Sequence, residues 1–237
     1  MSRGSAPAPG KPQALTSPDQ VPEGLAKSDW SSIRAAYEAG RHAFQPIAGG
    51  WQARNPGQQW TTKFDGRGFL SQPREGGWTW GLELKSYGFP GAEHTIGGVP
   101  AVQADGQRLT YQWDKTVQEW WVNDQRGLEH GFVVAQRPGG ERKDKGDIKD
   151  KRDAKSFESL PSLLSFTLST RGSLTPHITA DALGVEFRDA TGTTVLHYSG
   201  LKVWDADGQV LASRFEAADS QPSIPNSQPS VRLLVEE

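Results

Sequence analysis

The chain contains no cysteine, a single methionine and no long apolar run among its 237 residues. The absence of cysteine excludes disulfide bonds, although a chain of this length can bury a core that needs none. It does not distinguish an intracellular protein from an extracellular one. A membrane-spanning helix needs roughly 20 consecutive apolar residues. No segment approaches that length and residues 1–7 lack the apolar core of a secretory signal, so we expect no membrane insertion.

A large excess of either charge is also missing. Lysine and arginine number 26 and aspartate and glutamate 28, which gives a formal net charge of −2. Duplex nucleic acid and anionic bilayer surfaces both require a basic footprint on the protein that binds them. The charge balance therefore excludes nucleic acid as a partner.

Sequence motifs of catalysis are absent as well. The five histidines have no spacing typical of metal ligands, and neither a Gly-x-Ser-x-Gly nor a Gly-x-Gly-x-x-Gly string occurs. No pair of acids can be singled out for glycoside hydrolysis, and we interpret Glu75, Glu83, Asp114 and Glu119 as surface acids. The sequence predicts a protein that is not an enzyme.

The sequence is rich in bulky aromatic residues and in turn formers, with 9 tryptophans, 9 phenylalanines, 27 glycines and 16 prolines. This composition suits many short strands better than long helices. From Trp51 onward apolar residues alternate with polar ones, as in residues 60–64 and 78–85. About ten to twelve such segments between turns, among them residues 185–188, 194–198 and 201–204, predict an all-β fold, either an antiparallel β-sandwich or an elaborated two-sheet domain.

One short helix is predicted before the strands. Ser28 or Asp29 is expected to cap it, and Ile33 and Tyr37 follow at helical spacing.

The predicted domain occupies residues 28–237. Residues 1–27 are rich in proline and nearly free of bulky apolar side chains, so we expect a disordered leader. Residues 141–155 interleave both signs of charge with a single isoleucine, which indicates a disordered, solvated loop inside the domain at about residues 139–157.

The string Asp205-Ala206-Asp207-Gly208 is the best candidate for metal binding. Two carboxylates one residue apart before a glycine begin many calcium loops, and Glu216 stands where such a loop has a bidentate acid. A hairpin turn at Asp207 and Gly208 explains the same residues, because an alternating stretch follows from Val210. The prediction is therefore no cofactor, with calcium as the alternative.

Tryptophans are the candidate binding residues. Trp78 and Trp80 point to one face of their strand, whereas adjacent Trp120 and Trp121 point to opposite faces, so at least one of that pair is expected to be partly exposed. Exposed indoles form flat apolar platforms that stack on sugar rings or on partner surfaces. The alternative is that these tryptophans form the core between two sheets.

Three parts of the chain share strings with a known family: residues 51–60 with 64–68 and 78–84, residues 119–132, and residues 184–189 with 198–205. They resemble the amino-terminal β domain of large bacterial exported proteins with integrin-α-like FG-GAP repeats. The resemblance covers about residues 28–237, and its motifs are structural, so it implies architecture and no active-site residues. It also implies a secreted or cell-surface location and propeller-type repeats C-terminal to this chain.

The expected function is a non-catalytic structural or adhesion-type module of a secreted or surface-associated bacterial protein. A glycan or a cell-surface protein is the expected partner. The alternative is a carbohydrate-binding module that uses Trp78, Trp80, Trp120 or Trp121. The exposure of these indoles is the observation that separates the two.

Overall fold

The computed structural model describes residues 20–139, 163–218 and 228–236. Residues 1–19 of the expected leader (residues 1–27) and residues 140–157 of the expected charged loop (about 139–157) lie outside these ranges. Within them the chain forms one α-helix, α1, and sixteen β-strands. The elements are α1 (Lys27–His42), β1 (Gln45–Ile47), β2 (Gly50–Asn55), β3 (Trp60–Phe64), β4 (Phe69–Pro73), β5 (Trp80–Phe89), β6 (Ala92–Thr95), β7 (Ala101–Asp105), β8 (Arg108–Gln112), β9 (Val117–Asp124), β10 (Gly127–Val134), β11 (Leu163–Gly172), β12 (Thr175–Ile178), β13 (Val185–Arg188), β14 (Thr194–Tyr198), β15 (Ser213–Ala218) and β16 (Ser230–Glu236).

The strands form three sheets, and every pairing between named strands is antiparallel. The largest sheet has nine strands in the order β1-β2-β3-β4-β5-β11-β16-β15, with β6 paired to β5. A four-stranded sheet has the order β10-β9-β8-β7, and a three-stranded sheet has the order β12-β13-β14. The predicted all-β, sandwich-like fold with one short helix is confirmed.

The inner face of the nine-stranded sheet supplies one side of the core. On β5, two-residue alternation buries Leu82 and Leu84, and the next buried apolar side chain is Tyr87. The alternation shifts because Lys85 has no partner on β11, which makes a β-bulge. The bulge returns an aromatic residue to the core where strict alternation would place a serine.

The two smaller sheets pack on that same face. The Trp121 indole of β9 lies with its ring centroid 5.0 Å from Phe64 and 6.2 Å from Phe69. The Trp80 indole of β5 lies 5.0 Å from Phe69 and 5.1 Å from Phe187 of β13. These edge-on contacts join the three sheets in one apolar cluster.

Helix α1 differs from its prediction in two respects. It begins at Lys27, and its N-cap is Ala26, which makes no side-chain capping bond, so the expected cap at Ser28 or Asp29 is wrong. The helical spacing of Ile33 and Tyr37 is correct, yet these side chains are 49% and 64% exposed. Spacing defines which residues share a face of a helix, but not what covers that face.

Candidate functional site

A buried glutamate, Glu119, is the centre of a side-chain cluster that joins a carboxylate, an imidazole and a phenol. Strict alternation along β9 turns Val117, Glu119 and Trp121 toward the core. The Glu119 side chain is fully buried, so its interpretation as a surface acid is wrong. In the sequence, Glu119 alternates with the apolar residues Val117 and Trp121, and this pattern is the signal that predicts its burial.

A series of hydrogen bonds runs from Trp113 through Glu119 and His130 to Tyr198. Glu119 Oε2 accepts a bond from the Trp113 indole N–H at 2.8 Å, and Glu119 Oε1 lies 2.8 Å from His130 Nε2. On the far side of the imidazole, His130 Nδ1 lies 3.1 Å from the Tyr198 hydroxyl. If Nε2 carries the ring proton, each of these polar atoms has a complementary partner.

The surroundings of Tyr198 keep its phenol protonated. Burial raises the pKa of the Tyr198 phenol, and the nearby Glu119 charge raises this pKa further. A protonated phenol can donate to His130 Nδ1, and His130 Nε2 then donates to Glu119.

Aromatic rings seal the cluster from water. The Trp121 indole stacks on the His130 ring at 5.2 Å with an angle of 11° between the planes, and Phe132 lies 4.9 Å away. The His130 side chain is 1% exposed. The bonds link β9 and β10 of the four-stranded sheet to β14 of the three-stranded sheet, so this cluster holds sheets together.

Two of the four tryptophans proposed as binding residues are core residues. Trp80 is 4% exposed and Trp121 is 0% exposed. Neither can offer an indole face to a ligand, so the structure favours the core alternative for both. They lie on the packed side of their strands, where the sheets meet.

The other two tryptophans are half-buried. One face of Trp120 is covered by the Arg108 guanidinium, 4.4 Å from the ring centroid. The ring also crosses Gly131, where an added Cβ would stand 2.4 Å from it. Trp78 packs edge-on against Trp60 at 6.1 Å. Trp120 and Trp121 do point to opposite faces of β9, as predicted.

The most exposed tryptophan, missed by the sequence interpretation, is Trp204. Its side chain is 63% exposed, and it forms an isolated antiparallel bridge with Val210, which is 84% exposed. Residues 201–204 therefore do not form the regular strand that was predicted. Val203 and Leu211 point inward beneath this pair, and the Leu211 N–H donates to the Val203 carbonyl at 3.0 Å. In the sequence, the apolar residues Leu201 and Val203 alternate with Lys202 and Trp204. This alternation is the signal that Trp204 faces away from the side that packs.

The proposed calcium string forms the turn of this hairpin. One carboxylate oxygen of Asp205 accepts the backbone N–H groups of Asp207 at 2.9 Å and Gln209 at 2.8 Å. Ala206 and Asp207 occupy the turn, and Gly208 follows in the left-handed region with φ of 81°. The hairpin alternative is thus supported, with the turn one residue earlier than expected.

Calcium binding stays a prediction. Glu216, the third acid of the proposed set, lies on β15 and accepts a bond from the Arg214 guanidinium at 2.9 Å. Within residues 20–139, 163–218 and 228–236, no three acidic or histidine side chains converge as a metal site requires.

Comparison of the chain with protein-family models, with curated proteins and with solved structures finds no match. In the part of the chain that the structure describes, no helix has the length and apolar character needed to cross a bilayer.

Proposed function

We propose that this chain is a non-catalytic, adhesion-type structural module of a secreted or surface-associated bacterial protein. In that setting, propeller-type repeats follow it. Its partner is a cell-surface protein or glycan that contacts the Trp204 hairpin, defined as residues 203–211. The sealed cluster around Glu119 serves as internal support for the sheets.

The exposed pair of Trp204 and Val210 carries this proposal. Leaving an indole largely in water forgoes the stabilisation that burial of a large aromatic side chain provides. The hairpin is nevertheless well defined, because Asp205 holds the turn and Val203 packs beneath it. A rigid element that presents an apolar side chain to solvent loses little entropy on binding a partner.

A carbohydrate-binding module is the second candidate function. It is favoured by the same indole, since a flat exposed ring of this kind stacks on a sugar. Lys202 lies two residues before Trp204 and is also exposed. Among the four tryptophans first considered, Trp78 is half-buried, packs against the core and meets Trp60 edge-on.

Binding by a Trp204→Ala variant tests the first candidate. The whole chain is applied to bacterial and host cell surfaces and to an array of neutral and charged glycans. We expect binding to fall about tenfold or more, the loss typical of a central aromatic residue in an interface. Tyr37→Ala is the matched control, because Tyr37 is 64% exposed on α1 and Trp204 is 63% exposed.

The outcomes separate the candidates. Loss of cell binding in Trp204→Ala, with no glycan on the array whose binding depends on Trp204, supports an adhesion surface for a cell-surface protein. Quenching of tryptophan fluorescence by a defined sugar, lost in the same variant at unchanged melting temperature, supports the carbohydrate module. Turnover of a substrate that one acid-to-alanine change abolishes would overturn both.

A further inference from the structure

A cleft with a mixed polar and apolar lining lies between the end of α1 and the β1–β2 hairpin, separate from the Trp204 hairpin in sequence. Its volume is about 270 Å³, and its lining includes Gly40, Arg41, Gln45, Gln52 and Arg54. Ligand sites usually run from about 300 to 1,000 Å³. The cleft is therefore large enough for one small polar unit, such as a single sugar ring, and too small for an extended apolar ligand.

The charge of the cleft is positive. The Arg54 guanidinium is exposed and makes no hydrogen bond or ion pair with any described residue. Arg41 bonds through Nη1 to Glu38 at 3.0 Å, which leaves its other N–H groups available. Lys63 lies opposite Gln52 on β3, on the same face of the sheet, and is exposed. Arg41 and Arg54 are the charged residues of the lining, and both are cations.

Two amides complete the cleft. Gln45 of β1 and Gln52 of β2 are directly opposed across the strand pair, so their side chains lie side by side. Neither amide has a hydrogen-bond partner in the residues the structure describes. Each amide offers donors and an acceptor, the combination that recognises neighbouring hydroxyl groups.

We propose that this cleft binds a single acidic sugar unit of an anionic polysaccharide. A guanidinium fork binds a carboxylate or sulfate oxygen pair through two parallel bonds, a role that Arg54 is free to take. Gln45 and Gln52 then bond the ring hydroxyls, and Arg41 adds a second positive charge. An acidic peptide satisfies the two arginines but leaves the paired amides without hydroxyl partners.

This inference deepens the proposed function by naming a ligand class, and it rests on that function only for the extracellular source of the glycan. The two sites use different residues. Failure at the cleft and failure at the Trp204 hairpin are therefore separable in one set of variants.

The test is a calorimetric titration of the whole chain with a galacturonate oligosaccharide, a sulfated oligosaccharide and a neutral oligosaccharide of matched length. We expect the acidic ligands to bind and the neutral one to bind at least about tenfold more weakly. Affinity for the acidic ligands falls as salt is raised, because the cleft is open to solvent. Comparison of the two acidic ligands shows whether a carboxylate or a sulfate is preferred.

Variants assign the binding to the cleft. Arg54→Gln is expected to lose about tenfold in affinity for the acidic ligand, the scale of one charge-assisted hydrogen bond. Gln52→Ala is expected to weaken the saccharide but not a free acetate ion. Arg74→Gln, at another exposed arginine outside the cleft, and Trp204→Ala are expected to bind as the wild type does.

Three results would overturn the proposal. They are no heat of binding with either acidic ligand, equal affinity for the neutral ligand, and equal affinity for an acidic peptide with the same dependence on Arg54. None of them bears on the Trp204 surface. Because Arg54 is exposed, its substitution is expected to leave the melting temperature unchanged, so a loss of binding reports on the cleft.

Discussion

At the scale of single residues, Glu119 is a buried carboxyl group, and its hydrogen-bond partners offset the cost of its burial. A carboxylate without partners is costly inside a protein. Glu119 receives the Trp113 indole N–H and the His130 Nε2–H on separate oxygens, each at 2.8 Å. A carboxylate accepts on both oxygens, whereas an amide at the same position accepts on one atom and donates on the other.

Glu119→Gln is predicted to destabilise the protein by about 1–3 kcal/mol. The new amide keeps one acceptor and brings a donor against another donor, so one buried N–H loses its partner. The free energy of unfolding in urea measures the effect. Glu129→Gln serves as the control, because Glu129 lies on the adjacent strand with its side chain 56% exposed. Equal stability of the two variants would contradict the assigned hydrogen bonds.

Gly131 is required by the ring that crosses it. A Cβ at this position would lie 2.4 Å from Trp120 Cζ2, so the indole would have to move. Gly131→Ala is predicted to cost about 1–3 kcal/mol, the range for overpacking. It is also expected to shift tryptophan emission to the red. At Gly57, where the nearest atoms to an added Cβ stand at 3.5 Å, alanine should change neither quantity by as much.

At the scale of elements, the Trp204 hairpin depends on one carboxylate. Asp205→Ala removes the acceptor of two backbone N–H groups, those of Asp207 and Gln209. We predict a loss of about 1 kcal/mol and faster amide hydrogen exchange at these two positions. Asp207→Ala, which deletes a carboxylate that holds no turn N–H, should leave exchange at Gln209 unchanged.

The calcium alternative makes a different forecast for the same variants. If the string binds calcium, the ion should raise the melting temperature of the wild type by mass action. Both Asp205→Ala and Asp207→Ala should then lose that increase, since both carboxylates would be ligands. A turn without calcium shows no increase in any of the three proteins.

Sequence alternation predicted strands well where one side of a strand faces the core. Residues 60–64, 185–188 and 194–198 were predicted with the bounds of β3, β13 and β14. By contrast, β1, β6 and β7 are short and mostly exposed, so they lack the apolar alternation that marks a strand. Their backbone pairing comes from neighbouring strands, and no local pattern records it.

At the scale of the whole molecule, an ion pair connects segments far apart in sequence. Asp65, in the turn after β3, binds the Arg171 guanidinium of β11 at 3.0 and 2.7 Å. Partial burial raises the pKa of Asp65, but hydrogen bonds from Arg171 and Arg67 outweigh it and hold this pKa well below its usual range. The folded state therefore binds this proton less readily than the unfolded state does.

The lowered pKa of Asp65 predicts a defined pH dependence of stability. Its contribution is present above the unfolded pKa of 3.8 and is lost as the pH falls below that value. The stability difference between wild type and Asp65→Asn should thus be largest near neutral pH, at up to about 1 kcal/mol for a part-exposed pair. It should shrink as the pH falls from about 5 to about 2.

Urea titrations across this pH range measure the difference, and two arginine variants act as references. Arg171→Gln should reproduce the Asp65→Asn profile, because the Arg171 side chain is 17% exposed. Arg67→Gln should change it less, since the Arg67 side chain is 63% exposed. A pH-independent difference for Asp65→Asn would show that the pair adds no stability.

The sequence by itself determined the class of fold, because two-residue alternation and frequent turns are local properties of the chain. It also placed Trp120 and Trp121 on opposite faces of one strand. Only the tertiary structure decided which face is packed: it buried Trp80, Trp121 and Glu119 and left Trp204 in water. The Glu119 to Tyr198 chain and the cleft at Arg54 likewise join residues from different elements. Such contacts depend on sheet order and layer packing, which no spacing along the chain encodes.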